Sequence, residues 1–296
     1  MERISFALDR LPDRKEGLTL ALGNFDGFHL GHQSIAKEAR LNAIGPSGIL
    51  YFALPYKNER VLSDLEDKIR FSYQEGLDYA YCLDNDASFY GLGASSFIDL
   101  LGKLGVKKVV CGPDFRFGQG REGDVSTLRK SFLVEVVPFL KDNEGEKISS
   151  HKIKRLIEEG EMEEASFRLG RSYETKGVVE HGLENGRKIG FPTLNLSPLA
   201  PYVLPKRGVY AGIVYLSGVP FRAMINVGKN PTIGAREGMI EEAHLFSYAG
   251  DAYGKRAYFQ YLSYIREERK FASLEELKNQ LKEDKERVLS FFESPR

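Results

Sequence analysis

The chain has 296 residues, 42% of them hydrophobic and 28% charged, with 42 basic side chains against 42 acidic ones. That length is about twice an ordinary domain and predicts two, each with its own core; the even charge gives no sign of the concentrated basic face of a nucleic-acid binder, and no apolar run nears the ~18 residues of a membrane span. The start, Met1-Glu2-Arg3-Ile4-Ser5, lacks the basic and apolar stretches of a signal peptide and predicts a cytoplasmic protein, while Cys82 and Cys111, both in apolar surroundings, are expected as buried free thiols.

Up to about residue 140, short apolar runs alternate with helical stretches, which predicts a parallel sheet flanked by helices. The expected strands are Leu18 to Leu22, Ile49 to Leu54, Ala80 to Leu83, Lys108 to Cys111 and Val134 to Val137. The expected helices are His32 to Asn42, Asp64 to Gln74, Ala94 to Leu104 and Ser126 to Phe132. In such a sheet a ligand sits at the carboxyl ends of the strands, where the loops after Leu22 and Cys111 meet. Ser149 to Leu169 reads as helical, broken at Gly160, and its run of glutamates as a solvated face. Past Gly170-Arg171 the period changes to two: Tyr173 to Glu180, Gly208 to Tyr215, Phe221 to Asn226, Glu241 to Ser247 and Lys255 to Ile265, punctuated by Gly, Pro and Asn, predict an antiparallel barrel. Ser273, followed by an acidic first turn, opens a last helix to about Phe291.

Two stretches carry the chemistry. The first is Gly23-Asn24-Phe25-Asp26-Gly27-Phe28-His29-Leu30-Gly31-His32, where a strand ends and a helix begins. Its glycines let backbone approach a ligand, and the unpaired N–H groups and dipole of a helix start favour an anion. Two imidazoles there can donate hydrogen bonds to phosphate oxygens as charge builds in a transition state. Taken alone, a His-x-x-His pair more often caps or packs, and with only five histidines in the chain and no nearby Cys or Glu cluster it is not read as a zinc site. The whole string resembles the (H/T)xGH signature of the adenylyltransferase superfamily, in its FDGxHxGHQ form with Gln33 following. The resemblance places the second histidine, His32, on the phosphates of ATP, makes His29 and His32 catalytic, and implies Gly23, Asn24, Phe25, Asp26, Gly27 and His29 at ATP as well. Gly112-Pro113-Asp114-Phe115-Arg116-Phe117-Gly118 is similar to the stretch beside flavin and nucleotide in bacterial flavin adenylyltransferases, and Ile148-Ser149-Ser150-His151-Lys152-Ile153-Lys154 to a third motif of that family. Ser150, Lys152 and Lys154 are expected on ATP and the leaving pyrophosphate. His151 stands where the family has threonine and Lys154 where it has arginine, which keeps the charge and loses the bidentate fork.

The second stretch is Gly186-Arg187-Lys188-Ile189-Gly190-Phe191-Pro192-Thr193-Leu194-Asn195. Residues 193 and 195 of an extended segment point the same way, so a hydroxyl and an amide oxygen can share one hard cation, Mg2+ with ATP. The blander reading is a turn running into a barrel strand with two satisfied polar groups. The stretch resembles the PTxN motif of riboflavin kinases, and Arg207-Gly208-Val209-Tyr210-Ala211-Gly212, Asn226-Val227-Gly228-Lys229-Asn230-Pro231-Thr232 and Glu241-Glu242-Ala243-His244-Leu245 follow in the family's order. The resemblance makes Glu242 the general base, places Lys188, Gly190, Pro192, Thr193, Asn195 and Tyr210 at ATP, Thr193 and Asn195 at the metal, and Arg269 and Phe271 at the flavin. Glu241 is the neighbour most easily mistaken for the base; on an alternating strand it faces the other way. The aspartate the family shows near Ser247 is missing here.

Together the motifs cover nearly the whole chain and resemble the bacterial bifunctional riboflavin kinase/FMN adenylyltransferases, also called FAD synthetases. The resemblance implies a Rossmann-like nucleotidyltransferase α/β domain over residues 1–158 and an antiparallel β-barrel kinase domain with a terminal helix over 159–296. Riboflavin, FMN and ATP are then substrates and FAD a product; the partners expected are these small molecules, with no nucleic acid and no membrane. Two other readings stay open at this stage: an adenylyltransferase for another phosphorylated compound with a flavin-binding barrel, and a non-enzymatic flavin carrier.

Overall fold

The computed structural model describes residues 1–53, 59–84, 87–182, 190–229 and 239–294. Leu54, Lys188 with its neighbours 186, 187 and 189, and Asn230-Pro231-Thr232 lie outside the described residues. The chain divides into two compact units, Met1–Ser150 and His151–Arg296.

In the first unit the apolar runs are strands of one sheet because they are buried on both faces, as the all-buried Leu18-Thr19-Leu20-Ala21-Leu22 shows. Strands β1 (Glu2–Phe6), β2 (Leu18–Leu22), β3 (Ser47–Phe52), β4 (Tyr79–Leu83), β5 (Val106–Cys111) and β6 (Leu133–Val136) lie in the order β1-β4-β3-β2-β5-β6, every pair parallel. Helices α1 (Leu30–Leu41), α2 (Leu65–Ser72), α3 (Ala87–Tyr90), α4 (Ala94–Leu104) and α5 (Val125–Leu128) connect them. Alternate strand residues feed two cores: Leu20, Leu22 and Val109 pack with Phe97, Leu101 and Leu104 of α4, while Ala21, Ile49 and Val110 pack with Ile35, Ala36 and Ala39 of α1. Cys82 and Cys111 are buried free thiols, and burial pushes the Cys111 thiol up to about 11, which leaves it protonated and inert. Strand β1 was not expected; its polar start fits an edge strand with only β4 for a neighbour.

The chain order reverses at β2, which has β3 on one side and β5 on the other. Leu22 is paired with Cys111, so the loops that leave these two residues open side by side at the carboxyl edge of the sheet.

In the second unit, α6 (Ser150–Glu159) and α7 (Met162–Leu169) meet at Gly160, whose φ of 87° breaks the helix as expected. Strands β7 (Tyr173–Glu180), β8 (Leu194–Pro198), β9 (Gly208–Leu216), β10 (Val219–Lys229), β11 (Met239–Leu245) and β12 (Arg256–Glu267) close a barrel in the order β10-β11-β8-β7-β12-β9. Its interior is identified by Glu241, which accepts hydrogen bonds from Thr175 on β7 and Tyr261 on β12, strands that do not neighbour β11. The outer face bears α8 (Leu274–Glu293), capped by Ser273 accepting from Glu276 N at 3.1 Å. Val288 of α8 packs there with Val209, Ala211, Met224 and Phe191. Arg266 of β12 donates to fully buried Asp284 of α8 through Nε at 2.7 Å and Nη2 at 2.6 Å, and fixes the helix to the barrel wall.

Candidate active sites

Between β2 and α1 the backbone turns through three left-handed residues, Phe25 (φ 52°), Gly27 (φ 78°) and Phe28 (φ 39°). Two of them are bulky residues in a region that costs energy, and the surroundings hold them there. Phe25 and Phe28 are fully buried, and Asp26, only 3% exposed, accepts from Leu62 N at 2.8 Å. Gly27 N donates to Ser63 Oγ at 2.9 Å, Ser150 Oγ donates to Asp26 O at 2.8 Å, and Gln33 donates to Phe28 O at 3.0 Å. Asp26, expected at ATP, thus shapes the loop through a buried side chain. His29 is the N-cap of α1, with Nδ1 accepting from His32 N at 3.3 Å. Its ring stacks on His32 at 3.6 Å and 16°, and His32 rests edge-on against Phe25 at 5.3 Å. Both imidazoles therefore stand, rigidly packed, at the positive end of a helix dipole.

Across the switch point, Asp114 pairs with Lys147 at 2.5 Å, and the same ammonium lies 3.8 Å from the centre of the Phe139 ring. Phe115 and Phe117 stack at 5.8 Å, but Phe117 is buried against Phe97 and belongs to the core beneath the loop. Arg116 is exposed, 3.4 Å from Asp124. Lys152 and Lys154 lie in the first turns of α6, both half-buried.

The barrel arranges its candidates by register. Glu242 of β11 stands opposite Asn195 of β8 on one side and Asn226 of β10 on the other. Directly opposed residues share a sheet face with Cβ atoms ~5 Å apart, so the three polar side chains form a row across three strands. Glu241 is 2% exposed on the inner face, Glu242 half-buried on the outer one. Burial raises the Glu242 carboxyl above the ordinary range. Thr193 immediately precedes β8, two residues before Asn195. Gly182 backs Asn195: a Cβ there would come within 2.1 Å of its Nδ2. His244, two residues after Glu242, meets Pro192 O through Nδ1 at 2.8 Å. Burial and the Lys285 charge lower its pKa, so it is neutral at pH 7, and because a carbonyl only accepts, Nδ1 carries the proton.

Tyr210, expected at ATP, is fully buried with its hydroxyl donating to Lys206 O, packed on Tyr261 and Tyr264. Arg269 is half-exposed and stacks over Phe271 at 4.8 Å, beside Arg266 at 5.9 Å from the same ring. Sequence reasoning quoted Asn226 and His244 within motifs and gave them no role. The signal that would have found them is strand pairing, which a single sequence does not print.

Comparison with known proteins agrees with this division. A family model described as FAD synthetase matches residues 11–152, and one described as riboflavin kinase matches 169–292. A bifunctional riboflavin kinase/FMN adenylyltransferase of Escherichia coli K12 is 37% identical over 298 residues, 94% of each chain, and one of Listeria monocytogenes is 35% identical over 290 residues, 92% of each. The chain belongs to the bifunctional riboflavin kinase/FMN adenylyltransferase family. The Bacillus subtilis member is 31% identical over 94% of this chain. A crystal structure titled macrolide-efflux protein, from Streptococcus pneumoniae, has the same fold over 96% of this chain with a TM-score of 0.82 and 32% identity. That title concerns the other protein; among the described residues here no helix is long and apolar enough to cross a membrane.

The family uses ATP with Mg2+, and the barrel site fits that ion. Among the described residues no group of three or more His, Cys, Asp or Glu side chains is placed to hold a metal. Thr193 and Asn195 offer two neutral oxygens, and the Asn195 amide occupies the space a side chain at Gly182 would fill. A donor set so small suits a cation that keeps waters and takes most of its ligands from substrate phosphates.

Proposed function

We propose that residues 159–296 phosphorylate riboflavin and residues 1–158 adenylylate the FMN so formed, with the roles divided as follows. In the barrel, Glu242 takes the proton of the ribityl hydroxyl as its oxygen bonds to the γ-phosphorus of ATP and the bond from that phosphorus to the β-γ bridging oxygen breaks. Its raised pKa improves it as a base near neutrality. Thr193 and Asn195 hold the metal, with Gly190, Pro192 and Lys188 completing the approach of ATP; bound Mg2+ would neutralise phosphate charge during the transfer. Arg269 and Phe271 take the flavin ring, and Tyr210 supports the site from inside the wall. The observation that supports this reading is the row Asn195, Glu242, Asn226, in which a carboxyl lies beside two amides on one face.

In the first unit, FMN phosphate attacks the α-phosphorus of ATP and pyrophosphate leaves. The nucleophile is already an anion, so positioning and charge stabilisation carry the step. His29 and His32 face the phosphates from the start of α1, while Gly23, Asn24, Phe25, Asp26 and Gly27 shape the nucleotide loop. Ser150, Lys152 and Lys154 hold pyrophosphate. Asp114, Phe115 and Arg116 border the flavin, with Phe117 beneath them. The partners are flavins and ATP, without nucleic acid, in the cytoplasm where ATP is supplied.

Chromatography of the flavins formed from riboflavin and MgATP, with a parallel reaction from FMN, tests the proposal. FMN followed by FAD is expected. FMN alone, with none of the added FMN converted, would overturn the first-unit assignment, and no product at all would overturn both.

A further inference from the structure

On the reading that Glu242 is the kinase base and Thr193 and Asn195 hold the metal, we propose that His244 is a positioning residue for phosphoryl transfer. It fixes the distance between the strand that bears the base and the strap that bears Thr193 and leads into Asn195.

The strap runs from Gly190, a left-handed pivot at φ 85°, to the start of β8 at Leu194. Downstream it is secured by the pairs Leu194 with Ala243 and Asn195 with Glu242. Upstream, the backbone–backbone hydrogen bonds of the loops among the described residues include none that uses Phe191, Pro192 or Thr193. Proline has no N–H to give, and it holds Phe191 extended, so the strap cannot anchor itself by turning inward. The bond from His244 Nδ1 to Pro192 O, one residue before Thr193, supplies that anchor. The imidazole is only 8% exposed, and it is braced by Phe191 at 5.2 Å and Phe246 at 5.7 Å, so the donor has one direction. His244 and Glu242 occupy the same face of β11, two residues apart. A single rigid strand thus carries the base and the donor that sets the strap's height above it. Phosphoryl transfer depends on such spacing, because the metal-bound phosphate must meet the hydroxyl that the base has oriented.

The test compares His244→Asn with His244→Leu, two side chains that branch alike. The Asn amide nitrogen takes the place of Nδ1 and donates to Pro192 O; Leu cannot. For His244→Leu the expected result is a fall in riboflavin kinase kcat of about tenfold, with KM for riboflavin little changed. Amide hydrogen exchange of the peptide 190–196 should quicken in the same variant. His244→Asn should recover most of both, and FMN adenylylation should be unchanged in each. Wild-type kcat and wild-type exchange in His244→Leu would overturn the positioning role, and so would equal losses in Asn and Leu. Should Leu lower the melting temperature and abolish riboflavin binding, the comparison moves to Asn against Gln, whose amide reaches the Nε2 position; equal kcat in those two would also overturn it. Glu242→Gln, assayed alongside, reports on the underlying reading separately, since full phosphorylation there would remove the base from Glu242 whatever happens at His244.

Discussion

The histidine loop and the barrel row solve the same problem, holding polar groups for a phosphate, with opposite materials. At the loop, strain is accepted: two phenylalanines sit at positive φ, buried Asp26 clamps Leu62, and the imidazoles gain their place by stacking on each other at the start of α1. At the row nothing is strained; Asn195, Glu242 and Asn226 stand together because three antiparallel strands share one register. A loop site is set by a local stretch of chain and needs neighbours to hold it. A sheet site is set by pairing distant in sequence and holds itself.

The sharpest way to break the comparison is to remove one group from each region and read both reactions. Glu242→Gln should reduce riboflavin phosphorylation by ~10²- to 10⁴-fold while FMN adenylylation persists. Because burial raises its pKa, the acid limb of the wild-type kinase profile should lie above the ordinary carboxylate range: activity requires the ionised form and is lost as pH falls through that raised value. His32→Ala should cost the adenylyl step ~10²- to 10³-fold and leave phosphorylation intact, the size expected for losing one donor to developing phosphate charge; an unchanged rate would make His32 a packing residue. Asp284→Ala removes the buried carboxylate that takes two bonds from half-buried Arg266, and should destabilise the barrel by about 1–3 kcal/mol in chemical denaturation. Gly182→Ala pushes a methyl into the Asn195 amide, and the kinase alone should then require more Mg2+, by about tenfold, in a titration of the metal. The smallest effect concerns Glu241. Burial raises its pKa above the ordinary 4.5, so the folded barrel keeps a proton that the unfolded chain releases. Stability should therefore decline as pH rises from about 4.5 through the folded value, and Glu241→Gln should flatten that slope in melts taken across the range.

Much of this was legible in the chain itself, for a physical reason in each case. Tyr173 to Glu180 and Ala94 to Leu104 were bounded to the residue, because their alternation or capping glycines are local. Strand β1 was missed because Glu2 and Arg3 face solvent at a sheet edge, and β8 entered as a barrel strand only in the blander reading because it is short and begins just past a proline. The site residues split along the same line. His29, His32 and Asp114 announce themselves in contiguous strings, whereas the opposition of Asn226 to Glu242 and the reach of His244 to Pro192 arise from pairing across many residues. Tyr210 shows the converse hazard: it stands in a family motif, and its side chain points to the barrel interior.

The adjacency of Glu241 and Glu242 has a bearing on how this barrel tolerates change. Two identical side chains, one residue apart, hold contrary assignments, and the only thing that tells them apart is the phase of the strand. In an open sheet an edge strand can shift by one position and exchange them. A ring with a partner on both sides of every strand has no edge along which to shift, so closure serves as a parity lock. Insertions and deletions between Met239 and Leu245 should accordingly be admissible only in pairs, since a single added residue would send one carboxylate outward and bury the other.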